Sequence, residues 1–378
     1  MSRTTNNPAS PRLPLADALE GCLLGTAAGD MLGLPFENLS RAQVARVCVL
    51  PLEPSLFLGR GLVSDDTEHT AMLARSLLEA FDDPRRFARR FAARLRWWLL
   101  SAPPGVGGAT ARGILKLWIG FPPARSGVRS AGNGPSMRAA LLGVVFGDEP
   151  AKLAAFLVAS VALTHRDERA HAGALVVACA AACSRERRDG DPAAALTALL
   201  ARIAEVRGPA PDALTSTLQA MPSALARGLD VGAYARELGC ERGVTGFVMH
   251  TVPVAVYAWL VHARDLRQAI TEVVLCGGDT DSVAAITGAI IGAGTGADAI
   301  PPSWLARTLE IPGTIARLRG VARDLAAALA AGQPRRASLR AVVAESAWWP
   351  VMLVRNLAMF VLIVGVLVRR SVQVAIRR

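Results

Sequence analysis

Residues 275–290 read LCGGDTDSVAAITGAI. Gly277 and Gly278 supply a backbone turn that tolerates positive φ. Asp279, Asp281 and Ser282 then stand at the entry to a helix of small apolar residues. One Asp suffices to cap a helix and match its macrodipole. Two carboxylates and a hydroxyl after a glycine pair also form a set of hard oxygen ligands, the kind that suits Mg²⁺ or Mn²⁺. Cap and metal site are both open on this stretch alone, and the metal reading requires a second ligand set elsewhere.

That set stands in VSDDTEHTAML, residues 63–73. Ser64, Asp65, Asp66 and Thr67 again place two carboxylates and hydroxyls at a helix start, with Glu68 in the first turn. Alone it is an ordinary cap. Two such helix ends facing each other can hold a pair of hard cations from both sides. Further upstream, GTAAGDMLGLPFE (25–37) repeats glycine every four residues at Gly25, Gly29 and Gly33, a smooth face for close approach of another helix. Asp30 lies inside this apolar stretch and, if buried, needs partners, as a cap or through a bond to a neighbouring loop. Glu37 follows Pro35 on an irregular segment, where catalytic groups are often found.

The 378 residues are 52% hydrophobic but only 5% aromatic, which favours helices packed closely through small side chains. The formal net charge is +11, and every basic residue except Lys116 and Lys152 is arginine. No basic motif interleaved with stacking aromatics is present, so nucleic acid is not an expected partner. The charge is compatible with an acidic ligand such as a pyrophosphate. Cys22, Cys48, Cys179, Cys183, Cys240 and Cys276 form no disulfide framework and read as small hydrophobes in a reducing cytoplasm. The polar, Pro-containing N-terminus lacks the apolar run of a signal peptide.

Residues 1–14 read as a disordered arm, and strand character is expected around 44–50. AGNGPSMRAALLG (131–143) carries a Gly132-Asn133-Gly134 turn before a helix at Ser136. Such a turn can present backbone N–H groups to a phosphate or ribose, or be only a turn. In LTHRDERAHAG (163–173), His165 ends a helix and either caps it or contacts a ligand in a cleft. GVTGFVMHTVPVAVYAWL (243–260) is apolar all round, as a central helix would be. A basic linker, 333–341, precedes a distinct segment, 342–378. Its uninterrupted apolar stretch, Leu357 to Val368, is shorter than the ~20 residues that normally span a bilayer. Trp348 and Trp349 resemble an interfacial anchor, and arginines flank both ends. A tilted span, an interfacial helix and a helix docked on the domain all fit. Membrane association, as a tether to the inner face, is the expectation.

In order, GTAAGDMLGLPFE, SDDTEHT, GVGGAT, GNGPSMR, the Thr164–His165 pair, GFVMHTVPVAVYAW and GGDTDSVAAITGAIIGA resemble the ADP-ribosylglycohydrolase family over roughly residues 16–330. The resemblance implies an all-α, compact multi-helix orthogonal bundle with a two-metal cleft, Mg²⁺ or sometimes Mn²⁺. It implies metal ligation by Ser64, Asp65 and Asp66 from one side and Asp279, Asp281 and Ser282 from the other. Glu37 matches a family glutamate near the scissile bond, and Gly132, Asn133, Gly134, Ser136, Met137 and His165 match segments that contact ADP-ribose. Relatives commonly carry Thr where Ser64 stands and often where Ser282 stands; Ser keeps the oxygen and loosens the rotamer. The implied activity releases ADP-ribose from a modified protein, with Glu37, Asp66 or Asp281 able to take the proton of the attacking water. An ADP-ribose-binding relative without catalysis and a membrane-tethered scaffold are the alternatives.

Overall fold

The computed structural model describes residues 12–186, 191–207, 212–309, 314–335, 337 and 348–376, apart from the side chains of 363 and 366–376. The chain is all-α, and among the described residues β-type pairing is confined to isolated bridges. The first helices are α1 (Leu15–Gly33), α2 (Arg41–Val47), α3 (Asp65–Ala80), α4 (Pro84–Leu100), α5 (Gly108–Trp118) and α6 (Pro123–Ser126). Then come α7 (Ala140–Phe146), α8 (Pro150–Val161), α9 (Glu168–Glu186), α10 (Pro192–Arg207), α11 (Ala213–Gln219), α12 (Met221–Ala226) and α13 (Val231–Glu237). The series closes with α14 (Val248–Val261), α15 (Leu266–Leu275), α16 (Thr280–Thr295), α17 (Pro302–Ala306), α18 (Thr314–Ala330) and α19 (Trp349–Ile376).

The glycine repeat finds its partner in α16. A Cβ added to Gly25 would lie 2.1 Å from the Gly288 carbonyl oxygen, and one on Gly29 would lie 2.0 Å from that of Ala284. Gly21 meets Gly292 in the same way, so the two helices run antiparallel with backbones in contact. A glycine inside a helix costs roughly 1 kcal/mol relative to alanine. Here any side chain would overlap backbone, and close packing of the two helices offsets that cost. Register follows from the contact: Gly33, at the end of α1, abuts the backbone of Thr280 and Asp281 at the start of α16. Thr280 Oγ1 locks the junction by donating to the Gly33 carbonyl at 2.8 Å. Both helices are buried almost throughout, and α9 and α14 surround α16 in the core.

Three expectations are corrected. The segment expected to have strand character begins with α2, because Ser40 and Gln43 form a capping box, with Gln43 Oε1 accepting from the Ser40 amide at 2.8 Å. That local bonding outweighs the β-branched Val44 and Val47. Residues 12–14, assigned to the N-terminal arm, pack on the domain: Leu13 is buried and its amide donates to the Arg185 carbonyl. Residues 1–11 lie outside the described set, as do 336 and 338–341 of the linker and 342–347 and 377–378 of the C-terminal segment.

The third correction concerns the C-terminus. Among the described residues no helix is long and apolar enough to cross a membrane, and the expected tether receives no support. Of the three readings, the docked helix is the one observed. Arg355 and Asn356, the polar residues that interrupt the apolar pattern, are buried, and Asn356 Nδ2 donates to the carbonyl and Oγ of Ser101 at 2.8 and 3.0 Å. Met359 packs with Leu34, Leu56 and Leu62.

Candidate metal centre and active site

Two loops bring the acidic clusters together. Gly277 and Gly278 adopt positive φ, 71° and 87°. Gly278 fits between Leu39 and Val244, where a Cβ would lie 2.0 Å from the Val244 carbonyl oxygen. The Asn38 amide donates to the Gly278 carbonyl at 2.8 Å, so the strand of chain carrying Glu37 lies beside the one carrying Asp279. On the other side, Asp30 accepts from the amides of Ser64 and Thr67 at 2.9 and 3.1 Å and thus caps α3 from a different helix. This is the partner that its burial requires.

Asp30, Asp66 and Asp281 each offer a carboxylate oxygen within 4.8 Å of the others. Ser282 Oγ donates to Asp66 Oδ2 at 3.2 Å, and Ser64 Oγ reaches the same oxygen at 3.4 Å. The two helix ends therefore meet. Asp66 Oδ1 and Asp281 Oδ1 are buried without a hydrogen-bond partner. Buried acceptors are nearly always satisfied, and a hard cation is the partner this all-oxygen donor set fits. Asp279 Oδ2 accepts from Asn133 Nδ2 at 2.7 Å, and the same amide reaches Thr251 Oγ1 at 3.1 Å. Asp65 and Asp279 stand outside the triad on either flank, both half-buried.

Burial drives the electrostatics. Asp65, Asp66 and Asp281 are pushed well above the usual carboxylate range by desolvation first and by neighbouring carboxylates second. Asp279 is raised by burial, against the Asn133 bond that lowers it. Asp30 is pushed up to about 6 by burial, with the Thr67 and Ser64 bonds opposing. Glu37 is pushed up to about 7 by burial and by Asp279. Carboxylates that raise one another ionise together only beside a compensating positive charge.

The remaining candidates lie in and around the Gly132–Gly134 turn. His165 is buried, and its ring packs against the Gly132–Gly134 turn, with a Cβ on Gly134 only 3.0 Å from Cε1. Arg138 is fully buried and unannounced by the sequence pattern. It donates to the Gly134 carbonyl, His69 Nδ1, the Ser160 carbonyl and Thr164 Oγ1 at 2.9 to 3.2 Å. Thr164 Oγ1 accepts from Arg138 Nη2 and lies 2.9 Å from His165 Nδ1. Burial and Arg138 hold His165 down to about 3, so the ring is neutral. The turn's amides are partly engaged: Gly132 N donates to Ser130 Oγ and Asn133 N to the Gly246 carbonyl. Ser136 and Met137 are buried, at 0% and 3% exposure, with their side chains in the interior.

The all-helical chain thus sets a buried acidic cluster that could hold a metal ion at two facing helix ends. Residues 11–337 match the family model for ADP-ribosylglycohydrolase. The chain is 32% identical over 306 residues to an uncharacterized protein of Archaeoglobus fulgidus, covering 77% of this chain and 91% of the other. It is 24% identical over 310 residues to the ADP-ribosyl-[dinitrogen reductase] glycohydrolase of Rhodospirillum rubrum, covering 77% and 90%. A solved structure of an ADP-ribosylglycohydrolase-related protein complex superposes with a TM-score of 0.60 at 25% identity, covering 83% of this chain and 98% of that one. The chain belongs to the ADP-ribosylglycohydrolase family, whose members are hydrolytic enzymes that act on ADP-ribose linkages.

Proposed function

We propose that this enzyme cleaves the glycosidic bond between ADP-ribose and a modified protein side chain of arginine or serine type, or a related ADP-ribosyl compound, with two divalent cations held at the facing helix ends. The observation that carries the metal reading is the pair of buried, partnerless oxygens on Asp66 and Asp281, one from each helix. Ser64, Asp65 and Asp66 would hold the ions from α3, and Asp279, Asp281 and Ser282 from α16, with Asp30 completing the triad. Mg²⁺ is the natural occupant and Mn²⁺ a substitute. Bound ions supply the charge that orients ribose hydroxyls and lowers the pKa of a coordinated water.

The chain's own groups do the rest. Glu37, at about 7, is poised to take a proton from the attacking water at neutral pH. Asn38 Nδ2 donates to Glu37 Oε1 at 3.1 Å and leaves Oε2 to receive that proton. Departure of the side chain from the anomeric carbon passes through an oxocarbenium-like state, which the surrounding carboxylates favour electrostatically. The Gly132–Asn133–Gly134 turn and the neutral His165 ring are where the ADP-ribose moiety would lie. The test is release of free ADP-ribose from ADP-ribosylated arginine or serine substrates in Mg²⁺ and in EDTA. Release in Mg²⁺ that stops in EDTA is expected; no release from either substrate, or undiminished release in EDTA, would contradict the proposal.

A further inference from the structure

The family match ends at residue 337, yet α19, beyond it, reaches the helix that carries half of the acidic centre. Arg355 is 7% exposed and makes an ion pair with Glu68 Oε1 in the first turn of α3, while its Nη2 donates to the Val63 carbonyl at 3.1 Å. Glu68 is held from its other oxygen by Trp98 Nε1 at 2.6 Å. One guanidinium thus ties together both ends of the Val63–Glu68 stretch. Between those ends lie Ser64, Asp65, Asp66 and Thr67. One turn further along α19, Met359 packs on Leu62 and on Leu34, at the head of the turn that leads to Glu37.

We infer that Arg355 is a positioning residue for the metal centre: the C-terminal helix acts as an external brace on the first turn of α3. The inference rests on the metal reading above. The geometry has a physical rationale. Capping by Asp30 fixes the α3 N-terminus from inside the domain, and Arg355 grips the same turn from outside. Outer partners that orient metal ligands change affinity without touching the ion. A planar guanidinium spreads its donors over three nitrogens and suits a tie between separated acceptors, whereas the donors of a lysine share one compact nitrogen. Asn356, anchored on Ser101, holds the helix in register for this contact.

The test is Mn²⁺ affinity of the full chain by calorimetry, with circular dichroism on each variant. Arg355→Ala should weaken Mn²⁺ binding by about tenfold, the low end of the loss on removing an outer partner. Arg355→Lys should show a smaller loss, and Glu68→Gln combined with Arg355→Ala should lose less than the sum of the two single changes. A folded Arg355→Ala that binds Mn²⁺ as the wild type does overturns the inference while leaving the metal reading intact. If Arg355→Ala does not fold, Arg355→Lys decides: weakened binding supports the brace, and unchanged binding overturns it. Failure of the wild type itself to bind Mn²⁺ removes the metal reading and the inference with it.

Discussion

The two helix ends that form the acidic centre are alike in sequence and unlike in support. At α16 the backbone itself is held: Gly33 abuts Asp281, Thr280 bonds the Gly33 carbonyl, and Gly278 leaves no room for a side chain. At α3 the first turn is held by side chains, Asp30 from within and Arg355 from the C-terminal helix, and backbone pairing comes only three residues before the cap, where Gly61 bonds Arg307 and Leu309. Steric support tolerates almost no substitution, because interiors are packed to crystal density. Hydrogen-bonded support can be weakened in steps. The α16 end is therefore the fixed side of the centre and the α3 end the adjustable one.

Four substitutions and conditions probe this difference. The largest effect is expected at the chemistry: Asp281→Asn should lower metal-dependent release of ADP-ribose by at least about a hundredfold while the helical spectrum persists, as read by steady-state assay and circular dichroism. Next, Gly29→Ala on the fixed side should cost about 3 kcal/mol, as severe overpacking does, because its Cβ would lie 2.0 Å from the Ala284 carbonyl oxygen; denaturant midpoints read this directly.

The pH dependence of the metal-free protein comes third. Asp30 at about 6 and Glu37 at about 7 both lie above the roughly 4 of an unfolded carboxyl. The native state then binds more protons than the unfolded state, so stability is greatest below about pH 4 with respect to these groups and is lost as pH rises through 6 to 7. The melting temperature without metal should fall between pH 5 and 8, and saturating Mg²⁺ should remove most of that fall. The smallest effect is a control outside both supports. Gly320 in α18 has open space around a Cβ, and Gly320→Ala should stabilise by roughly 0.5–1 kcal/mol.

Much of this arrangement was legible in the chain. The paired Asp-Asp-hydroxyl clusters announced both helix ends, and the glycine period announced a close helix contact, because each is a local pattern tied to one physical need. Asp30 was visible as a polar group in an apolar stretch, but not its place beside Asp66 and Asp281, which depends on the α1–α16 register. Arg138 carried no signal, since one arginine beside an apolar run looks the same whether buried or exposed. The Ser40–Gln43 capping box stands in the sequence and overrides the β-branched valines that follow it. Arg355 and Asn356 interrupted an apolar run that suggested a membrane. Their polarity instead serves contacts to Val63, Glu68 and Ser101, residues about 250 to 290 positions away.

The central claim is that the two helix ends form one divalent-cation centre. Electron paramagnetic resonance of free Mn²⁺ during titration measures this directly, with wild type, Asp66→Asn and Asp281→Asn in parallel. The account predicts tight binding by the wild type and its loss in either variant, because each removes one side of the same site. Wild-type binding that survives both substitutions, or no binding by the wild type at all, would contradict it.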